Sequence, residues 1–205
     1  KKMILFALPV SVYSAKVRLC LREKQIEFEE KTPVGGSYRS EEYAKIVPRK
    51  TIPAIQLPNQ KVLVDSEAIN EFLNETFPDP PMLSENLEDR AWQRSFSRFC
   101  DTVLEPKIRG LFPFVKQPRN EEKLSEQLTL INEILIKLQG EIDNCPVSIQ
   151  LGESLTLSDC GFAVVLQLLF LISNALQLKA LHVPNNVRNY FNTIKQLPNV
   201  DKELN

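Results

Sequence analysis

Histidine is almost missing from this 205-residue chain: the single one, His182, lies in a leucine-rich segment far from any candidate nucleophile and reads as a core or surface residue. With one histidine, no HExxH or CxxC spacing and four dispersed cysteines (Cys20, Cys100, Cys145, Cys160), a zinc site and a Ser/His/Asp triad both lack parts. The cysteines read as reduced, mostly buried thiols of a cytoplasmic protein. Glycine is scarce as well. Of six, only Gly35 and Gly36 fall in the first 81 residues, so there is neither GxGxxG nor GxxxxGK(S/T), and nucleotide cofactors lose their usual phosphate loop. Neither sign of charge prevails, since 25 Lys and Arg stand against 26 Asp and Glu; with no basic tract, nucleic acid is not an expected ligand. The longest apolar run, Cys160 to Ser173, is interrupted by Gln167 and is shorter than the roughly 20 residues a membrane span needs. The opening KKMILFALPV reads as a buried first strand, because its apolar run is short and Lys16 and Arg18 soon follow.

What the chain does have is an uneven supply of proline. Eight of fourteen lie in the first 81 residues, and only Pro146 interrupts the stretch from Arg119 to Val183, so the first part turns often and the second is helical. In the first part, Met3 to Ala7 and Ile26 to Glu29 read as strands around an amphipathic helix, Ser14 to Lys24, which makes a βαβ unit. A short helix near Glu41 to Lys45, strands Ala54 to Leu57 and Lys61 to Val64, and a helix Ser66 to Thr76 follow. The PDPP run at 78–81 breaks the chain. Beyond it, Glu88 to Leu104, Glu121 to Ile142, Leu157 to Ser173 and Val187 to Leu197 carry helical periodicity. The expected architecture is therefore a small α/β domain over residues 1–81 and an all-helical bundle domain over 88–205.

Polar residues gather at the strand-to-helix junctions. SVYS at 11–14 opens the first helix, where Ser11, Tyr13 and Ser14 lie beside unpaired N–H groups at the positive helix end, a place that favours an anion such as a thiolate; Ser14 also suits an N-cap. In KTIPAI at 50–55, Pro53 directly precedes a strand. A cis bond there would turn the Ile52 N–H and C=O outward toward an extended peptide-like ligand, and an ordinary trans turn is the alternative. DSEAI at 65–69 starts a helix with Ser66 as N-cap; its N–H groups suit a carboxylate, and Asp65 suits an ammonium. LTLSDC at 155–160 has capping-box spacing, with Thr156 as cap, Asp159 reaching back and Leu155 and Cys160 as a hydrophobic staple, which is a structural role.

In this order and spacing, SVYSAKVRLCLREK, KTIPAI, DSEAINEFLNETFPDPP and SLTLSDC resemble the cytosolic glutathione transferase family over nearly the whole chain. The resemblance implies a thioredoxin-like N-terminal domain, an all-helical C-terminal domain and a homodimer, with glutathione as co-substrate, a small hydrophobic electrophile or peroxide as second substrate, and no metal. Carried over, Ser11 matches the serine that activates the thiol, and Pro53 matches the family's cis-proline. Thr51 and Ile52 match the backbone that pairs with the cysteinyl part, Asp65 and Ser66 the pair that grips the γ-glutamyl group, and Lys50 a contact to the glycyl carboxylate. The electrophile's apolar wall is expected near Phe99 to Phe114. Three departures stand out: Val12 where many serine-type members have proline, Asp65 in place of Glu, and no cysteine at the first junction. SVYSAKVR and FPDPP are also similar to the stringent starvation protein A family, which resembles transferases yet contacts RNA polymerase; the alternative that this implies is a non-catalytic protein that binds a protein partner.

Overall fold

Four apolar residues, Met3–Phe6, form β1 at the middle of a sheet, where both faces are covered and no alternation is needed. Helix α1 (Val12–Glu23) follows, and its residues from Ser14 to Leu21 are buried, Lys16 and Arg18 included. The helix ends when Gln25 takes φ 54° and the Ile26 N–H closes on the Leu21 carbonyl at 2.9 Å. Ile26 is thus consumed by the helix end, which is why β2 runs over Phe28–Lys31 and starts later than its apolar residue suggested. Its charged sequence, FEEK, suits an edge strand. The four-residue α2 (Glu41–Ala44) is capped by Ser40 and presses Tyr43 against Phe6, ring centroids 5.6 Å apart. Strands β3 (Ala54–Gln56) and β4 (Val62–Val64) form a hairpin, and α3 (Ser66–Thr76) closes the layer.

The strand order is β2-β1-β3-β4, with β1 parallel to β2 and antiparallel to β3, and β3 antiparallel to β4. This is a thioredoxin-like layer. The computed structural model describes residues 2–205 and divides between Met82 and Leu83 into two compact units. The chain reaches that division under restraint. Lys24 Nζ donates to Asn74 Oδ1 at 2.8 Å and to the Pro80 carbonyl, and the same Asn74 oxygen accepts the Met82 N–H at 3.2 Å. Met82 is buried, with its sulfur 3.8 Å from Cys20 Sγ.

The second unit is helical. In place of one helix over 88–104, α4 (Leu87–Phe99) passes into a π turn over Cys100–Leu104 and then α5 (Glu105–Arg109). The widened turn adds a residue to the repeat, which periodicity alone does not show. Helices α6 (Glu121–Asp143), α7 (Leu157–Leu176), α8 (Asn185–Ile194) and α9 (Pro198–Leu204) complete it. Pro198 opens α9 as a first-turn proline, so the expected helix over 187–197 ends earlier. By length and composition α7 could cross a membrane, but every residue from Leu157 to Leu166 is buried; it is the core helix of this unit. Its Phe162 stacks on Phe96 of α4, with centroids 4.2 Å apart, and meets Tyr190 of α8 edge-on.

Candidate functional site

The topology brings three junctions to one sheet edge. Strands β1 and β4 run parallel to each other through the antiparallel β3, and Phe6, Ala54 and Val64 stand in register across them. The residues after β1, before β3 and after β4 therefore share an edge: Ser11, Ile52 with Pro53, and Asp65 with Ser66. Both α1 and α3 start there and aim their positive ends at it. Two strand spacings of about 4.8 Å place the outer junctions roughly 10 Å apart, the span of about three extended residues.

At the first junction Ser11, not Ser14, is the N-cap of α1: Ser11 Oγ accepts the Ser14 N–H at 3.2 Å. Accepting this bond leaves the Ser11 hydroxyl proton free to donate, and the residue is half-buried. Ser14 is buried, and its Oγ accepts the Leu8 N–H at 3.4 Å. Tyr13 is half-buried in the first helical turn.

At the second junction the Ile52–Pro53 bond is cis. Thr51 is exposed and Ile52 half-buried, and the Ile52 N–H and C=O make no hydrogen bond with any described residue. The loop is held from behind by Tyr43, whose hydroxyl donates to the Thr51 carbonyl at 2.9 Å; burial pushes its pKa up to about 12, so it remains a donor. Tyr43 was not among the sequence candidates, although an aromatic residue with a polar tip in a short helix before this loop is the available signal. Lys50 takes φ 51° and pairs with Glu41 through its ammonium group. That partner occupies the charge that the resemblance assigned to a carboxylate.

At the third junction the cap is Asp65, one residue earlier than the sequence suggested. Its Oδ1 accepts the Glu67 and Ala68 N–H groups, both at 3.1 Å, from a backbone at φ 77°. Ser66 is the first helical residue; it is 7% exposed, and its hydroxyl makes no hydrogen bond with a described residue. Asp65 remains exposed, and its Oδ2 makes no hydrogen bond with a described residue. In the second unit, Cys100, Leu104, Ile108 and Leu111 of the expected apolar wall are buried, whereas Phe112 and Val115 are exposed. Among the described residues no three His, Cys, Asp or Glu side chains gather in a metal-ligating group.

Residues 5–81 match the family described as glutathione S-transferase, N-terminal domain. The whole chain superposes on the Tau class glutathione S-transferase MiGSTU of mango, Mangifera indica, with a TM-score of 0.84 at 20% identity, covering 100% of this chain and 93% of that one. A glutathione transferase of Pseudomonas putida with the same fold (TM-score 0.77, 19% identity, 99% of this chain and 90% of that one) holds one glutathione disulfide per subunit. Residues 5–81 thus match a glutathione S-transferase N-terminal domain, and the chain as a whole has the glutathione transferase fold. In sequence the chain is similar to the maleylacetoacetate isomerase of Dictyostelium discoideum, 31% identical over 118 residues, which are 54% of this chain and 53% of that protein. It is also similar to the stringent starvation protein A homolog of Coxiella burnetii, 35% identical over 81 residues, 40% of this chain and 38% of that one. The matched segment spans about half the length, or less, of these curated relatives.

Proposed function

We propose that the chain is a glutathione-dependent enzyme that binds the tripeptide along the shared sheet edge and activates its thiol. The observation that carries this reading is the convergence of Ser11, Ile52 and Asp65 on one edge of the sheet. The free Ile52 N–H and C=O would pair with the cysteinyl backbone as an added strand. Ser66 and the α3 N-terminus would receive the γ-glutamyl carboxylate, and the outer Asp65 oxygen its ammonium. Ser11 would donate its hydroxyl to the sulfur at the positive end of α1. A free thiol has a pKa of about 8.5 and is mostly protonated at neutral pH; lowering it by about two units makes it mostly thiolate. The thiolate then displaces the leaving group from an electrophilic carbon, or cleaves the O–O bond of a peroxide to give a sulfenic acid and an alcohol. Among relatives both transferases and maleylacetoacetate isomerases occur, and the same nucleophile serves either reaction by adding to the substrate carbon. We place the protein in the cytoplasm as a homodimer.

Calorimetric titration with reduced glutathione tests the cradle. Saturable binding that is lost in Asp65→Ala is the expected result; no binding at millimolar glutathione overturns the reading. The likeness to the Coxiella stringent starvation protein A homolog favours a second reading, a partner-binding protein on the same fold. Glutathione binding without turnover of any model electrophile would favour it.

A further inference from the structure

Lys16 is 1% exposed, yet it carries an ammonium group, and its Nζ donates to Glu67 Oε2, a side chain 12% exposed. An ammonium is not buried in a helix–helix seam without a compensating partner, and here the partner comes from another helix. Lys16 stands at the start of the second turn of α1 and Glu67 in the first turn of α3. Lys16 lies five residues beyond the cap Ser11, about 7.5 Å along the helix, and Glu67 two residues beyond the cap Asp65. The same Glu67 gives its backbone N–H to Asp65 Oδ1 at 3.1 Å. A second tie runs in parallel, from Asn70 Nδ2 to the Lys16 carbonyl at 3.3 Å. An unbroken chain of contacts therefore links the Ser11 end of the site to its Asp65 end behind the sheet edge.

We infer that Lys16 is a positioning residue: through Glu67 it fixes the distance between the α1 and α3 N-termini, so that one ligand meets Ser11 and Asp65 together. This rests on the reading of the site given above. A ligand that touches both ends depends on that distance, whereas a ligand held at one end does not. Sub-ångström errors at the thiol end matter most, because a hydrogen bond to a thiolate loses strength steeply with misalignment.

The test compares glutathione with γ-glutamylglycine, which has the γ-glutamyl end and no thiol, on the unaltered full chain and on Lys16→Met, Lys16→Arg and Glu67→Gln. Binding is measured by calorimetry, and the bound thiol is titrated by its ultraviolet thiolate absorbance. In Lys16→Met we expect glutathione to bind roughly tenfold more weakly and the bound thiol pKa to rise by about one unit, with γ-glutamylglycine unchanged within about twofold. Lys16→Arg restores both. Glu67→Gln, which keeps an acceptor but loses the charge, gives the same pattern in smaller measure and serves if Lys16→Met does not fold. An unchanged thiol titration, or equal weakening of both ligands, overturns the inference while leaving the glutathione reading intact. If the unaltered chain does not bind glutathione, both fall.

Discussion

At the start of α3, Asp65 accepts two backbone N–H groups through one oxygen from an exposed position, and its other oxygen bonds no described residue. At the start of α7, Thr156 and Asp159 do the same work inside the second unit: Asp159 Oδ2 accepts the Thr156 N–H at 2.9 Å and its hydroxyl at 2.7 Å, and Thr156 Oγ1 accepts the Asp159 N–H at 3.3 Å. Tyr190 donates to the remaining carboxylate oxygen. Helix chemistry is shared, but one carboxylate keeps bonding capacity in reserve and the other spends all of it on the fold. Availability at a helix start, more than the presence of a capping motif, separates a ligand-binding junction from a structural one.

The sharpest way to break this comparison is Ser11→Ala, which removes a hydroxyl from the open edge. Turnover is expected to fall by roughly 10²- to 10³-fold with glutathione affinity changed less than about threefold, as for loss of a donor aimed at developing charge. Steady-state kinetics with a model electrophile checks it, and unchanged turnover would remove Ser11 from the chemistry. Next, Asp159→Ala should cost about 3 kcal/mol of folding stability in urea melts, because three donors lose their acceptor in a dry site. Burial raises the Asp159 pKa against the hydrogen bonds of Tyr190 and Thr156. The folded state therefore holds that proton more tightly than the unfolded one. The group favours folding most at acid pH and less as pH rises through its folded pKa, and the variant should lose this slope.

Asp65→Asn sharpens the contrast from the other side. Asparagine caps as well as aspartate, so stability should stay within about 0.5 kcal/mol, whereas loss of the charge facing an ammonium should weaken glutathione roughly tenfold. An equal loss of stability and affinity would mean that Asp65 is structural, like Asp159. The smallest effect concerns thiols: burial pushes Cys20 up to about 12 and Cys145 up to about 11. Both are protonated at neutral pH, so alkylation of the native chain should run roughly tenfold or more slower than in denaturant, with the half-buried Cys145 labelled before Cys20. Rapid native labelling of Cys20 would contradict the packing around it.

The large pattern of the fold was legible because proline density and helical periodicity are coarse signals that survive tertiary packing. The capping box at Thr156 was legible for a related reason, since its reciprocal spacing leaves one arrangement. At Asp65 and Ser66 the spacing leaves two. Either residue is a good cap, and only the backbone angle, φ 77° at Asp65, decides. The cis bond before Pro53 is not settled by its neighbouring residues, which fit a trans turn as well; it is implied by the family resemblance alone. The π turn at Cys100 shifts a helical repeat by one residue, a change smaller than the tolerance of any periodicity count. Lys16 escaped notice because a lysine in an amphipathic helix normally faces solvent, and its acidic partner lies 51 residues away.

The anchoring of the segment before Leu83 bears on how the chain can be divided. Met82 fills the space beside Cys20, and the Lys24 ammonium takes a carbonyl from Pro80, so the run of prolines is upholstered onto α1 and does not swing as a tether. A first-half fragment cut at Thr76, where the last helix ends, would uncover the Cys20 thiol and take one of its two acceptors from the Lys24 ammonium. One carried through Met82 would keep its own seam closed, which makes Leu83 the earliest residue at which a fusion partner or a protease site could be grafted without opening the layer.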